Sequence, residues 1–251
     1  MAQDGLLIAT KSVMDASTFV ARVKAEIHRD RQVDEDAILR AMCSALEWYK
    51  SHRFWFNTGE AFVYTEEGLA KYKRAGQAPG IPGGKLPTEF PSNLLRIDYA
   101  RITVNSSTYP LRRKNADFLR SLDTATSING YPEYYAHRHD EIMVYPAPNA
   151  DDLLMRFDCV FDQGTPICTY SGGSWQLADN FGNAVGLTWS SPMLQICEEL
   201  IRHRTKADLY ANIIIDTERA AVSRQQEIEA YDNLVNRSDW LEDVGDAIPW
   251  Y

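Results

Sequence analysis

A chain of 251 residues that is 45% hydrophobic and 11% aromatic is long enough to bury a sizeable core, in one large domain or two smaller ones. Its net charge of −9 argues against holding nucleic acid by phosphate neutralisation, and it has no run of about 18 apolar residues to span a membrane. The opening MAQDGLLIATKSVMDAS lacks the basic start and apolar stretch of a secretory signal; Cys43, Cys159, Cys168 and Cys197 read as small buried hydrophobes of a reducing compartment, not as disulfide partners.

Phe19, Val20, Val23 and Ile27 recur at helical spacing and predict an amphipathic helix over 15–30. Asp34 is a good N-cap, and Ile38, Leu39, Met42, Ala45, Leu46 and Tyr49 form one stripe of a second helix to about Lys50. That helix delivers the chain to Phe54-Trp55-Phe56, three large rings just before Asn57-Thr58-Gly59. A strand is expected at 61–65, and AGQAPGIPGGKLP (75–87) is a Gly/Pro loop. LLRIDYARITV (94–104) alternates with Leu95, Ile97 and Tyr99 on one face, then slips phase at Ala100-Arg101, which predicts a bulge there. Residues 108–112 are its hairpin partner, and Asn115 caps a short helix to Leu122.

Strands are expected at 131–138, 140–146 and 152–161, joined by short turns and therefore antiparallel neighbours; the last alternates cleanly through Leu153, Met155, Phe157, Cys159 and Phe161. Residues 169–189, rich in Gly, Ser, Asn and Thr, read as a loop. Ser191-Pro192 opens a helical pattern that runs to about Arg237 with a break near 208–212. SDWLEDVGDAIPWY then carries four acids, no base, and Trp240, Leu241, Ile248, Pro249, Trp250 and Tyr251. The fold class is α+β: a helical bundle from the N- and C-terminal segments, an inserted antiparallel β domain and an extended C-terminal tail. The segments are 1–58 (helical), 59–189 (β-rich), 190–237 (helical) and 238–251 (docking tail). The Phe54, Trp55 and Phe56 rings are expected to fill the junction between helices and sheet.

Chemistry-bearing motifs are weak. Gly80 to Lys85 resembles a phosphate loop, but Pro79 stands where its first Gly belongs and Leu86 replaces the magnesium-binding hydroxyl. His137 and His139 offer two imidazoles without the further ligands zinc requires. No GxSxG elbow occurs, and Glu133 with Glu141 is the kind of carboxylate pair any acidic protein offers. The reading therefore includes no catalytic residue, metal or cofactor. The isolated aromatics of the acidic tail either fold back on their own domain or anchor in a partner.

Five segments, taken in order, resemble the head-to-tail adaptor proteins of tailed, short-tailed bacteriophages. They are ILRAMCSALEWYKSHRFWFNTGE, LPTEFPSNLLRIDYARI, TYPLRRKNADFLRSLD, GYPEYYAHRHDEIMVYPAPNADDLLMRFDCVF and SPMLQICEELIRHRTKADLYAN, spanning roughly residues 38–212. The resemblance implies a helical bundle carrying a β domain. It implies a virion protein assembled in the host cytoplasm as a homo-oligomeric ring, usually of twelve copies, beneath the portal protein. A tail or nozzle protein would bind below, and genomic DNA would pass through without specific binding during ejection. It further implies that the C-terminal segment reaches the portal, which makes Trp240, Leu241, Ile248, Pro249, Trp250 and Tyr251 the expected docking residues. Two other functions remain open at this point: a virion-associated peptidoglycan hydrolase, or a carbohydrate- or protein-binding β module.

Overall fold

The computed structural model describes residues 14–27, 33–73, 89–125, 128–138, 141–179 and 182–246; for 123–125 and 239–246 it describes the backbone. The chain opens with helices α1 (Ala16–Ile27) and α2 (Glu35–Tyr49), then strands β1 (Thr58–Tyr64), β2 (Lys71–Lys73), β3 (Leu94–Val104), β4 (Ser107–Pro110) and β5 (Arg112–Arg113). Helix α3 (Ala116–Ala125) precedes β6 (Asn129–Gly130), β7 (Tyr134–Arg138), β8 (Glu141–Tyr145), β9 (Ala147–Pro148) and β10 (Leu154–Phe161). A hairpin of β11 (Ile167–Ser171) and β12 (Ser174–Ala178) leads to α4 (Pro192–Ile196), α5 (Glu198–Leu209), a π turn at Tyr210–Ile214, and α6 (Thr217–Asp246). The fold is mixed α+β with mainly antiparallel pairing. It divides into two compact units, one built from the described residues up to Lys50 and from Gln163 onward, the other from residues 51–162.

The first unit is mainly helical. The Asp34 carboxylate accepts from the Ala37 amide at 2.6 Å and starts α2; Ser191 does the same for α4 through the Leu194 amide at 3.2 Å. Helix α5 lies against α1, α2 and α6, so residues on every side of it are buried. The expected break falls at the π turn, which ends on Ile215 in the left-handed region (φ 58°).

Two expectations fail in this unit. Residues 167–178 form a hairpin, not a loop, and it lies against α2. Gly172 and Gly173, at φ 63° and 90°, make its two-residue turn, a conformation that side chains with a Cβ resist. The stretch from Ser238, expected to be extended, continues α6 to Asp246. There the Ser238 hydroxyl donates to the Leu234 carbonyl one turn back at 2.9 Å, which satisfies the hydroxyl within the helix.

The second unit holds two four-stranded sheets, ordered β1-β10-β3-β4 and β2-β8-β7-β5. One core joins them: Ala61, Val63, Ile97, Ile102 and Phe157 from the first meet Tyr72, Tyr135, Ile142 and Val144 from the second. Strand β10 pairs with β1 and β3, not with β8 as its short connection implied. Pro146 and Pro148 have no N–H to continue a ladder beside β8, so the chain leaves one sheet and enters the other.

The bulge in β3 is also displaced. Its register against β10 skips Asp98 and Leu95, giving two irregularities instead of one at Ala100-Arg101. Each skipped residue resets the alternation, so the core face is Leu94, Ile97, Ala100, Ile102 and Val104, while Tyr99 is exposed. The β3–β4 hairpin and α3 occur where expected, with the Asn115 side chain accepting from the Asp117 amide at 3.0 Å. The Gly/Pro stretch 75–87 and the His139-Asp140 turn lie outside the described residues.

Candidate functional site

The expected docking residues fall into two groups. Trp240 and Leu241 lie on the backbone of α6; Ile248, Pro249, Trp250 and Tyr251 lie outside the described residues. Phe54, Trp55 and Phe56 do come together. Phe54 is buried, its ring 5.6 Å from and nearly parallel to Phe56, and Trp55 meets Phe56 edge-on at 5.7 Å. Asn57 shapes this turn: its side-chain oxygen accepts from the Phe54 amide at 2.8 Å, and its amide nitrogen donates to the His52 carbonyl at 2.8 Å. Asn57 is thus the residue that shapes the turn carrying the three rings at the entrance to β1.

Three surfaces were not anticipated from the sequence. On the outward face of the β1-β10-β3-β4 sheet, Phe62 and Tyr99 are about half exposed beside an ion network in which Glu60 holds both Arg101 and Arg156. In the same unit, a hollow of about 470 Å³ is lined by Ile102, Val104, Tyr109, Arg112, Tyr131 and Glu133 among others. A second, more polar hollow of about 690 Å³ is lined by Arg113, Lys114, His137 and Arg138 and by the first residues of α3. Of its lining residues, Lys114 lies over the rings of Phe118 and Tyr134, and His137 meets the buried Phe90 edge-on at 6.1 Å. Among the described residues no group of three or more His, Cys, Asp or Glu is placed to hold a metal ion.

The helical unit carries charge inside it. Arg202 and Lys206 of α5 bond Glu26 of α1 at 2.8 and 2.9 Å. One helical face away, Arg204 bonds Glu227 of α6 at 2.8 Å, and Tyr49 of α2 donates to the same carboxylate oxygen at 2.6 Å. Arg204 also lies 4.4 Å over the Trp48 ring. Burial pushes the Tyr49 hydroxyl above its ordinary range, and the Glu227 carboxylate adds to that. Burial likewise raises Asp208 against the pull of Arg204 and Arg224. Burial would also raise Glu26, but its bonds to Lys206 and Arg202 prevail and hold it low.

The pairing code of α5 is regular: positions 202 and 206 face α1, and 204 and 208 face α6. Helix α6 meets it with the small or paired side chains Ala220, Ser223, Glu227 and Ala230, while Val222 and Ile228 stay exposed on its other side together with Ile215 at the π turn.

The cysteines are not all separate. The Sγ atoms of Cys43 on α2 and Cys168 on β11 lie 2.7 Å apart. Their spacing in sequence carries no hint of this, because the hairpin that brings Cys168 to α2 was itself unread.

No protein-family model matches this chain, and no curated protein matches it.

Proposed function

We propose that this chain is a non-enzymatic connector of a virion, a head-to-tail adaptor that forms a ring of about twelve copies between portal and tail. The observation that carries the reading is the order of the five segments across residues 38–212 and their resemblance to such adaptors. The chain's division adds support: a mainly helical unit drawn from both ends brackets a β unit drawn from the middle. In this reading the helices are a bundle that builds the ring, through interfaces where one face of a copy meets a different face of the next.

Exposed Ile215, Val222 and Ile228 on and beside α6 suit such heterologous contacts. In sequence, residues 217–246 carry eight acids against three arginines, and apart from Glu227, which is buried against Arg204, such a net acidic segment would repel duplex phosphates and let DNA slide if it faces the channel. The residues from Trp240 to Tyr251 anchor the ring to the portal, and the β unit meets the tail or nozzle protein.

The test mixes the purified chain with the portal protein of the same genome and weighs the products by native mass spectrometry. Full-length chain adds a fixed number of copies to the portal ring. A chain ending at Asp246 keeps α6 but loses Ile248 to Tyr251, and one ending at Arg237 loses Trp240 and Leu241 as well; both lose the complex. A full-length chain that stays monomeric and ignores the portal overturns the reading.

One observation favours a second reading, a carbohydrate- or protein-binding β module. Phe62 and Tyr99 on the sheet face and Tyr109 and Tyr131 lining a hollow place four exposed aromatic rings on one unit. Glycan-array binding that is lost on Tyr109→Ala and Tyr131→Ala, without any portal complex, decides for it.

A further inference from the structure

The contact between Cys43 and Cys168 stands apart from any docking role. Both are unbonded thiols, and they sit on elements already packed together: α2 lies against α1 and α5, and the β11–β12 hairpin lies along α2. Their sulfurs, 2.7 Å apart, need only about 0.7 Å of further approach to reach disulfide bonding distance. The Cys168 sulfur also reaches the Leu39 carbonyl at 3.5 Å, which fixes its side chain against the helix. Cys43 is buried and Cys168 is partly exposed, so one sulfur is accessible to a reagent and the other waits behind it.

We propose that Cys43 and Cys168 are a redox-active pair that closes to a disulfide when the protein leaves a reducing compartment. The oxidant is a small disulfide such as oxidised glutathione. The Cys168 thiolate attacks one of its sulfurs, forming a mixed disulfide and expelling one glutathione thiolate. The Cys43 thiol then gives up its proton, and its sulfur attacks that of Cys168 and expels the second glutathione. Two protein thiols are oxidised and one small disulfide is reduced to two thiols.

The surroundings fit these roles. The contact with Cys43 holds the Cys168 thiol below its ordinary range against burial, and Arg40 assists; the Cys43 thiol is held up by the same contact and by burial. Cys159 and Cys197, each buried and pushed up to about 12 by burial, lack this partner arrangement.

The position gives the bond a consequence. Cys43 precedes residues 51–162 in the chain and Cys168 follows them, so the bond closes a loop around the whole second unit. It would tie the two separate stretches of the helical unit to each other across that insertion, whatever the second unit does.

The experiment treats the full-length protein with oxidised glutathione, alkylates the remaining thiols, and maps peptides by mass spectrometry. The expected result is one linked peptide pair, Cys43 with Cys168, with the mass of two hydrogens lost and Cys159 and Cys197 still alkylated. The melting midpoint should rise by roughly 5–15 °C on oxidation, and the rise should be absent in Cys43→Ser and Cys168→Ser. Full alkylation of Cys43 and Cys168 after oxidant, or glutathione retained on Cys168 without closure, overturns the proposal.

Discussion

Glu227 should be the most sensitive single position of the helical unit. Its side chain is 8% exposed, and one carboxylate oxygen takes both the Arg204 guanidinium at 2.8 Å and the Tyr49 hydroxyl at 2.6 Å. Glu227→Ala strands the Arg204 charge. Breaking a fully buried pair costs about 3–5 kcal/mol, but Arg204 keeps 17% exposure and its stacking on Trp48, so the lower end applies, about 3 kcal/mol. Tyr49→Phe removes one bond and leaves Glu227 paired, which costs about 1–1.5 kcal/mol. The triple change Tyr49→Phe, Arg204→Met, Glu227→Leu removes the three bonded groups together, leaves Asp208 with Arg224, and should lie within about 1 kcal/mol of the native protein. Urea unfolding followed by far-ultraviolet circular dichroism reads all three. The reasoning fails if Glu227→Ala costs no more than Tyr49→Phe, or if the triple variant is as unstable as Glu227→Ala alone.

Glu26 is held below its ordinary 4.5 because its bonds to Lys206 and Arg202 outweigh burial, so the stability it adds is present above that pH and lost as pH falls through the lowered value. Glu26→Gln should lower the melting midpoint near neutral pH and flatten the acid limb below 4.5; parallel limbs in both proteins refute this. Tyr49 is raised above 10.0 by burial and by Glu227, so its contribution is full below 10.0 and lost as pH rises through the raised value. Tyr49→Phe should therefore show a shallower alkaline loss than the native protein in the same melting series. At the β11–β12 turn, Gly173 sits at φ 90°, and Gly173→Ala should cost about 1–2 kcal/mol. Gly172→Asn, at φ 63°, should be nearly neutral, because Asn tolerates the left-handed region. Equal losses for the two turn variants, read by thermal melting, would remove the turn assignment.

Much of the fold was legible where the signal is local. The stripes of α1 and α2, the caps Asp34, Ser191 and Asn115, and the alternation of β10 depend on neighbours within a turn or a strand, and all appear where expected. The errors came where two local signals compete. Leu95, Ile97 and Tyr99 alternate convincingly on paper, yet two bulges hand the core face to Leu94, Ile97 and Ala100. The Gly172-Gly173 pair between ICTYS and SWQLA was a usable hairpin signal, outweighed by the polar composition of the whole stretch. The helical pattern expected to stop near Arg237 continues through Ser238 to Asp246.

The candidate surfaces were less legible for a different reason, and α5 states it most clearly. IRHRTKADL has only Ile201 and Leu209 as bulky apolar residues, yet Ile201, His203, Thr205, Ala207 and Leu209 are buried and the charges between them are paired. Its partners Glu26, Glu227 and Arg224 lie on α1 and α6, at distances in sequence that no periodicity reports. Pairing lets these charges sit partly buried between helices, and it fixes which face of α5 meets which helix more narrowly than an apolar stripe does. The same logic bears on α6. Its buried side is made of small residues and one paired carboxylate, so the apolar Val222 and Ile228 on its other side are not needed to hold it against α5. Side chains that a helix does not need for its own packing are the ones available to a neighbour. Val222→Ser with Ile228→Ser should therefore leave the melting midpoint within about 1–2 °C while weakening assembly on the portal. A large loss of stability with intact assembly would show that this side serves the fold instead.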